Sequence, residues 1–243
     1  MIETMIEALE ATTTPSSREP GGSGAGERVD VPLARLGRSR GLPEEPPPGT
    51  GDGLRTFGPA VAVAFDSPAF EHPEGDVLER VADARDLLQA GGRHHGPRPR
   101  AARQLDRFLD RARSLGPERL QEVHGRTFEL SPSCVPYLSV HLFGDGSFRR
   151  ARLMAGLAES YHRAGFDRGG ELPDHLGLVL RFAPHMDGDE WRELVRFCLV
   201  PALPSIAAGL EGTDNPYRHV LEAVRLLLEP PGDLEPGEGR GAS

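Results

Sequence analysis

The stretch Ser147-Phe-Arg-Arg-Ala-Arg-Leu-Met-Ala-Gly-Leu-Ala-Glu-Ser-Tyr-His-Arg-Ala-Gly165 decides the fold class. Ser147 can cap a helix that carries Ala151, Met154, Leu157, Ala158 and Tyr161 on one face and closes at Gly165. The same helical period recurs outward in both directions. Upstream, Val77, Leu78, Val81, Ala84, Leu87 and Leu88 form one stripe, stopped by Gly91-Gly92. Leu105, Phe108, Leu109, Ala112 and Leu115 form the next, ending at Gly116-Pro117, and Leu120, Val123 and Phe128 suggest a third. Downstream, Pro173 suits the first position of a helix bearing Leu176, Val179, Leu180 and Phe182. Asp189 precedes Trp191, Leu194, Val195 and Cys198; Pro201 and Pro204 then break or kink the run before Ile206 and Leu210. Asn215-Pro216 opens a last helix with Val220, Leu221, Val224, Leu227 and Leu228. Ala60 to Phe65 alone reads as strand-like, kept short by Pro59 and Pro68. The expectation is an all-α single helical bundle.

Composition sets its limits. Residues 15–59 hold 18 Gly or Pro in 45 positions, too little apolar surface to offset chain entropy. This predicts a disordered head over 1–56, a folded domain over 57–229 of about 170 residues, and a disordered acidic tail over 230–243. Met1 to Ala11 offers at most a short helix with Ile2, Ile6 and Leu9 on one face. The net charge of −9 divides as −3 over 1–59, −3 over 60–228 and −3 over 229–243, so no segment carries the basic excess of a general nucleic-acid binder. All 28 basic residues are arginine. The absence of lysine excludes a P-loop lysine, a Schiff base and a Ser–Lys dyad.

Two cysteines, Cys134 and Cys198, are too few for a disulfide framework or a Cys-based zinc site. Met1 to Glu10 has three glutamates and no basic region, unlike a signal peptide. The uncharged run Phe197–Leu210 is 14 residues with two prolines, too short to span a bilayer. These features predict a cytoplasmic protein without membrane insertion.

Chemical motifs are sparse. No HExxH, HxxxH or GxSxG pattern occurs, and His94-His95 sits in a Gly/Arg-rich loop where adjacent side chains diverge. His72, His124, His162, His185 and His219 read as surface or boundary positions. Gly22 to Gly26 lacks the flanking strand, helix and lysine of a phosphate loop. Residues 93–113 hold seven arginines against Asp106 and Asp110; on a helix Arg100, Arg103, Arg107 and Arg111 fall on one stripe. That stripe reads as an anion contact or as a solvated face with local ion pairs. The densest cluster is Glu171-Leu172-Pro173-Asp174-His175-Leu176, with two carboxylates and an imidazole at an expected helix start. It reads as helix capping, or as an acid/base or metal constellation such as a metal-dependent hydrolase would use.

Those six residues resemble the signature of the redox-enzyme maturation chaperones, the family of the nitrate reductase delta subunit and its relatives that serve other molybdopterin enzymes. Thr127-Phe128-Glu129-Leu130 resembles a second family element. Tyr137 to Asp145 (YLSVHLFGD) resembles a third, the Arg149 to Gly165 helix a fourth, and Asn215-Pro216-Tyr217 the start of the last helix. The resemblance covers about 118–228. It implies a chaperone rather than an enzyme, with no stably bound cofactor. Its partner would be the alpha-type catalytic subunit of a molybdopterin oxidoreductase, through that subunit's N-terminal segment. The client would be held until the molybdenum bis-guanine-dinucleotide cofactor is inserted. By resemblance, Tyr137, His141, Asp145, Glu171, Asp174, His175 and Leu176 map to client-binding or hinge positions. Kinks at Pro173 and Pro201 would open a groove for an amphipathic helix.

Overall fold

A computed structural model describes residues 44–66, 76–90, 96–130, 132–144 and 146–230. The expected head up to residue 43, the tail from 231, the Gly91-Gly92 stop and the His94-His95 pair lie outside the described residues, as do His72 and Asp145. Among the described residues the fold is all-helical, as the periodicity predicts, with one isolated β-bridge and no strand.

Among the described residues ten α-helices follow in order: α1 Asp52–Ala62, α2 Val77–Gln89, α3 Pro97–Leu115, α4 Pro117–His124, α5 Leu138–Phe143, α6 Phe148–Arg163, α7 Leu176–Phe182, α8 Gly188–Leu194, α9 Val200–Ala208 and α10 Tyr217–Leu228. Local chemistry sets several of their ends. Gly116 takes φ +76°, ending α3, and Pro117 starts α4 at once. The Ser147 hydroxyl accepts the Arg149 N–H at 3.2 Å, so the expected cap of α6 is in place. Asp187 caps α8 by accepting the Asp189 and Glu190 N–H groups. Pro201 does not break the chain: a π-turn over Val195–Leu199 absorbs the missing N–H, and α8 runs through it into α9.

The strand-like reading of Ala60–Phe65 is overturned. Those residues finish α1 and a 3-10 turn over Val63–Phe65. Pro59 lies inside α1, a placement that costs about 3 kcal/mol in an isolated helix. Burial offsets it, because Leu54, Val61 and Ala62 are fully enclosed and α1 packs on α7 and α10. The close crossing also explains the glycines that made this stretch look like linker. A Cβ on Gly53 would lie 2.6 Å from the Leu227 carbonyl oxygen of α10. The helix therefore begins at Asp52, inside the segment that composition assigned to the head.

In the core, α3 lies between α2 and α10, and α1 bridges α10 to α7. Leu105, Phe108, Leu109 and Ala112 of α3 are buried as expected, as are Val220, Leu221, Val224, Leu227 and Leu228 of α10. In α6 the buried line is Leu153, Leu157 and Tyr161; Ala151 is exposed, so the inward face is rotated from the sequence reading. Leu87 of α2 is exposed. No helix among the described residues is long and apolar enough to cross a membrane.

Candidate functional site

The signature hexapeptide does not start a helix at Pro173. Helix α7 begins at Leu176, and residues 172–175 form a turn and bridge before it. This displaces Asp174 from the first turn of its own helix and gives its carboxylate a different task. The segment Pro136–Leu138 lies antiparallel against Asp174–Leu176. The Leu138 N–H donates to the Asp174 carbonyl at 3.0 Å, and the Leu176 N–H to the Pro136 carbonyl at 2.8 Å. Between them Tyr137 and His175 face each other, ring centroids 5.4 Å apart.

That bridge places Asp174 at the start of α5. Its Oδ2 accepts the Ser139 backbone N–H at 3.1 Å and the Ser139 hydroxyl at 2.5 Å. Ser139 is the second residue of α5, so the Asp174 carboxylate caps a helix 36 residues upstream in sequence rather than its own. Arg150 Nε, from α6, donates to the same hydroxyl at 3.0 Å. Tyr161, also from α6, donates its phenol to the Pro173 carbonyl at 2.7 Å in the interior. Ser139, Arg150 and Tyr161 thus serve the site although none of them is a candidate site residue in the sequence; the fold brings them to the 173–174 segment.

His175 is buried between rings, with Phe65 at 6.3 Å and Tyr137 at 5.4 Å by centroid. Burial lowers its pKa from the ordinary imidazole value, against an opposing pull from Glu171. Gly177 makes this seat possible: a Cβ there would meet the imidazole Cε1 and the Phe65 Cβ, each at 3.2 Å. Glu171 is half-buried, and its Oε1 accepts the Leu172 N–H at 2.9 Å and the Tyr137 phenol at 3.3 Å. Burial and the adjacent Glu171 carboxylate raise the Tyr137 pKa. His141 Nε2 donates to the Val135 carbonyl at 2.7 Å, fastening α5 to the segment that leads into it.

The structure therefore brings together Tyr137, Glu171, Asp174 and His175, with His141 one helical turn away. Their exposures differ in kind. Asp174 and Leu176 are fully buried, whereas Tyr137 and Glu171 are half-exposed and Leu172 is 38% exposed. In this conformation Leu176 packs inside the core instead of offering an apolar contact at the surface. Among the described residues no group of three or more His, Cys, Asp and Glu side chains is disposed to hold a metal ion. Asp174 Oδ2 is taken by Ser139, while its Oδ1 and the His175 Nδ1 are buried without a hydrogen-bond partner among the described residues.

The two outer motif elements also meet. The Asn215 amide donates to the Thr127 hydroxyl at 2.7 Å, and that hydroxyl donates to the Val123 carbonyl at 2.6 Å. Tyr217 packs on Phe128 at 5.0 Å and on His124 at 5.5 Å. His124 is thereby buried, and His219 is buried beside Gln104 of α3, contrary to the surface or boundary reading of their sequence positions. Asn215 Oδ1 accepts the Tyr217 N–H at 3.0 Å and starts α10 as expected.

Comparison with known proteins identifies a family. The chain matches the family model described as nitrate reductase delta subunit over residues 96–220, a span that includes both clusters. It is 30% identical over 135 residues to the nitrate reductase-like protein NarX of two Mycobacterium tuberculosis strains, CDC 1551 / Oshkosh and ATCC 25618 / H37Rv. Those 135 residues are 55% of this chain and 20% of either relative, so the chain matches about a fifth of their length. With the matched span reaching over half of its residues, this chain belongs to the nitrate reductase delta subunit family.

Proposed function

We propose that this protein is a dedicated assembly chaperone that binds the cofactor-free catalytic subunit of a nitrate-reductase-type molybdoenzyme in the cytoplasm. It would hold that subunit's N-terminal segment until the molybdenum bis-guanine-dinucleotide cofactor is inserted, and then release it. The observation that carries this reading is the family match over 96–220, which encloses the bridged Tyr137–His175 site. No catalytic group is required of the chain itself. Release follows if affinity for the apo-client exceeds that for the mature one.

The burial pattern supports a division of labour within the signature. Asp174, His175 and Leu176 hold the 136–138 and 174–176 segments together from inside. Tyr137, Glu171 and Leu172 present a mixed apolar and acidic edge that suits an amphipathic helix with a basic flank. Calorimetric titration of a synthetic N-terminal segment of the client tests this. Tyr137→Ala with Glu171→Gln is expected to weaken binding at least tenfold while the melting temperature stays within a few degrees. Unchanged affinity in a folded double variant would remove this edge from the client interface.

A further inference from the structure

The bridge between residues 136–138 and 174–176 encloses two polar atoms that no described residue satisfies. Asp174 is fully buried and His175 is 9% exposed, yet Asp174 Oδ1 and His175 Nδ1 lack a hydrogen-bond partner, so they do not reach each other either. The His175 ring is tightly seated. Its Nδ1–Cε1 edge lies against the first turn of α7, where a Cβ on Gly177 would stand 3.3 Å from Nδ1 and 3.2 Å from Cε1. Phe65 and Tyr137 meet the ring at steep angles, 88° and 66°. A neutral imidazole fits this seat, because one ring nitrogen carries no proton. An imidazolium does not: both nitrogens become donors, and the Nδ1–H would face an interior without an acceptor.

The charged groups around the ring determine where an imidazolium would go. Asp66, at the end of the 3-10 turn, is already held by Arg80 of α2 and Arg181 of α7. Asp174 is fixed through Oδ2 by the Ser139 N–H and hydroxyl. Glu171 is half-exposed and less committed, accepting from the Leu172 N–H and, at 3.3 Å, from the Tyr137 phenol. Burial opposes charge on the ring; of the charged neighbours Glu171 favours that charge most, Arg181 resists it, and Asp174 and Asp66 favour it less. We propose that His175 is a proton-operated latch: the neutral ring keeps the 136–138 and 174–176 segments bridged, and protonation drives the ring from its seat towards the Glu171 carboxylate and opens the bridge. The incoming proton is taken from solvent, Glu171 gives up the Tyr137 phenol, and the Leu138 N–H and Leu176 N–H separate from the Asp174 and Pro136 carbonyls. In the chaperone reading this would make the Tyr137–Glu171 edge proton-dependent. The latch itself stands without that reading, and its test uses no client.

The test follows amide hydrogen exchange of the full chain by NMR, each rate corrected for the pH dependence of the chemical step. Between about pH 7.5 and about pH 5.5, across the ordinary imidazole range, protection of the Leu138 and Leu176 amides should fall at least about tenfold. Protection of the Val224 amide, buried in α10 away from the bridge, should fall less than about threefold over the same range. In His175→Asn the extra loss at the bridge should disappear. Glu171→Gln keeps the ring but removes the outer carboxylate, so the opening should move to lower pH; this variant decides should His175→Asn fail to fold. Bridge protection that does not change with pH, that falls only in step with Val224, that falls equally in His175→Asn, or whose midpoint is unmoved in Glu171→Gln would overturn the proposal.

Discussion

Replacing Asp174 by alanine probes the joint on which the site depends. The substitution removes the carboxylate that accepts both the N–H and the hydroxyl of Ser139. Losing a helix cap costs about 0.5–2 kcal/mol. Leaving a buried hydroxyl without its acceptor costs about 1–3 kcal/mol. Together the loss should be about 2–4 kcal/mol, which for a domain of this size lowers Tm by roughly 5–15 °C. Asp174→Asn keeps an acceptor oxygen at the same place and should cost less than half of that. Ser139→Ala alone should cost about 1–2 kcal/mol. Because the two side chains act on each other, the double variant should be less destabilised than the sum, by about 0.5–3 kcal/mol. Urea titrations followed by helical circular dichroism measure all four proteins. An Asp174→Ala variant within about 0.5 kcal/mol of the parent, or strict additivity with Ser139→Ala, would refute the cross-segment cap.

Other consequences follow from the same contacts. His175 has a folded-state pKa below the ordinary imidazole value, so the unfolded chain takes up its proton more readily. Stability should therefore be complete above about pH 6.5 and fall as pH drops through that value, and a smaller fall in His175→Asn would assign the effect, since His219 is shifted the same way. Gly209→Ala would put a Cβ 1.9 Å from the Ser133 carbonyl oxygen, and a loss of about 1–3 kcal/mol is expected by urea titration. Gly156→Ala, in the middle of α6 with open space around it, should instead stabilise by about 0.5–1 kcal/mol. Cys134 and Cys198 are buried and their thiol pKa values are pushed up to about 12, so both should resist a thiol reagent at pH 8 until the protein unfolds.

The helical class was legible because most helices bury a stripe at helical spacing; the residues the period selects in α7, α8 and α10 are buried, although α7 also buries Leu178 and α10 also buries Leu226. Reading failed where tertiary contact overrides local signals. Gly53, Gly58 and Pro59 look like linker and strand boundary in sequence, yet the glycines let α1 cross α10 and α7 closely. Within the site, the motif residues were visible as types but their partners were not. Asp174 looks like a cap for its own helix, whereas the bridge between residues 137 and 175 hands it to α5. Ser139 and Arg150 lie inside motif elements, but nothing in their sequence marks them as partners of Asp174 or of each other. The burial of His124 and His219 likewise depends on partners far along the chain, Tyr217 and Gln104.

The chaperone account is tested most directly by the molybdenum content of the nitrate-reductase-type catalytic subunit purified from cells lacking this chain. The account predicts a subunit with little molybdenum and little activity, both restored when the intact gene is returned. A subunit carrying its full molybdenum complement and full activity without this chain would contradict it.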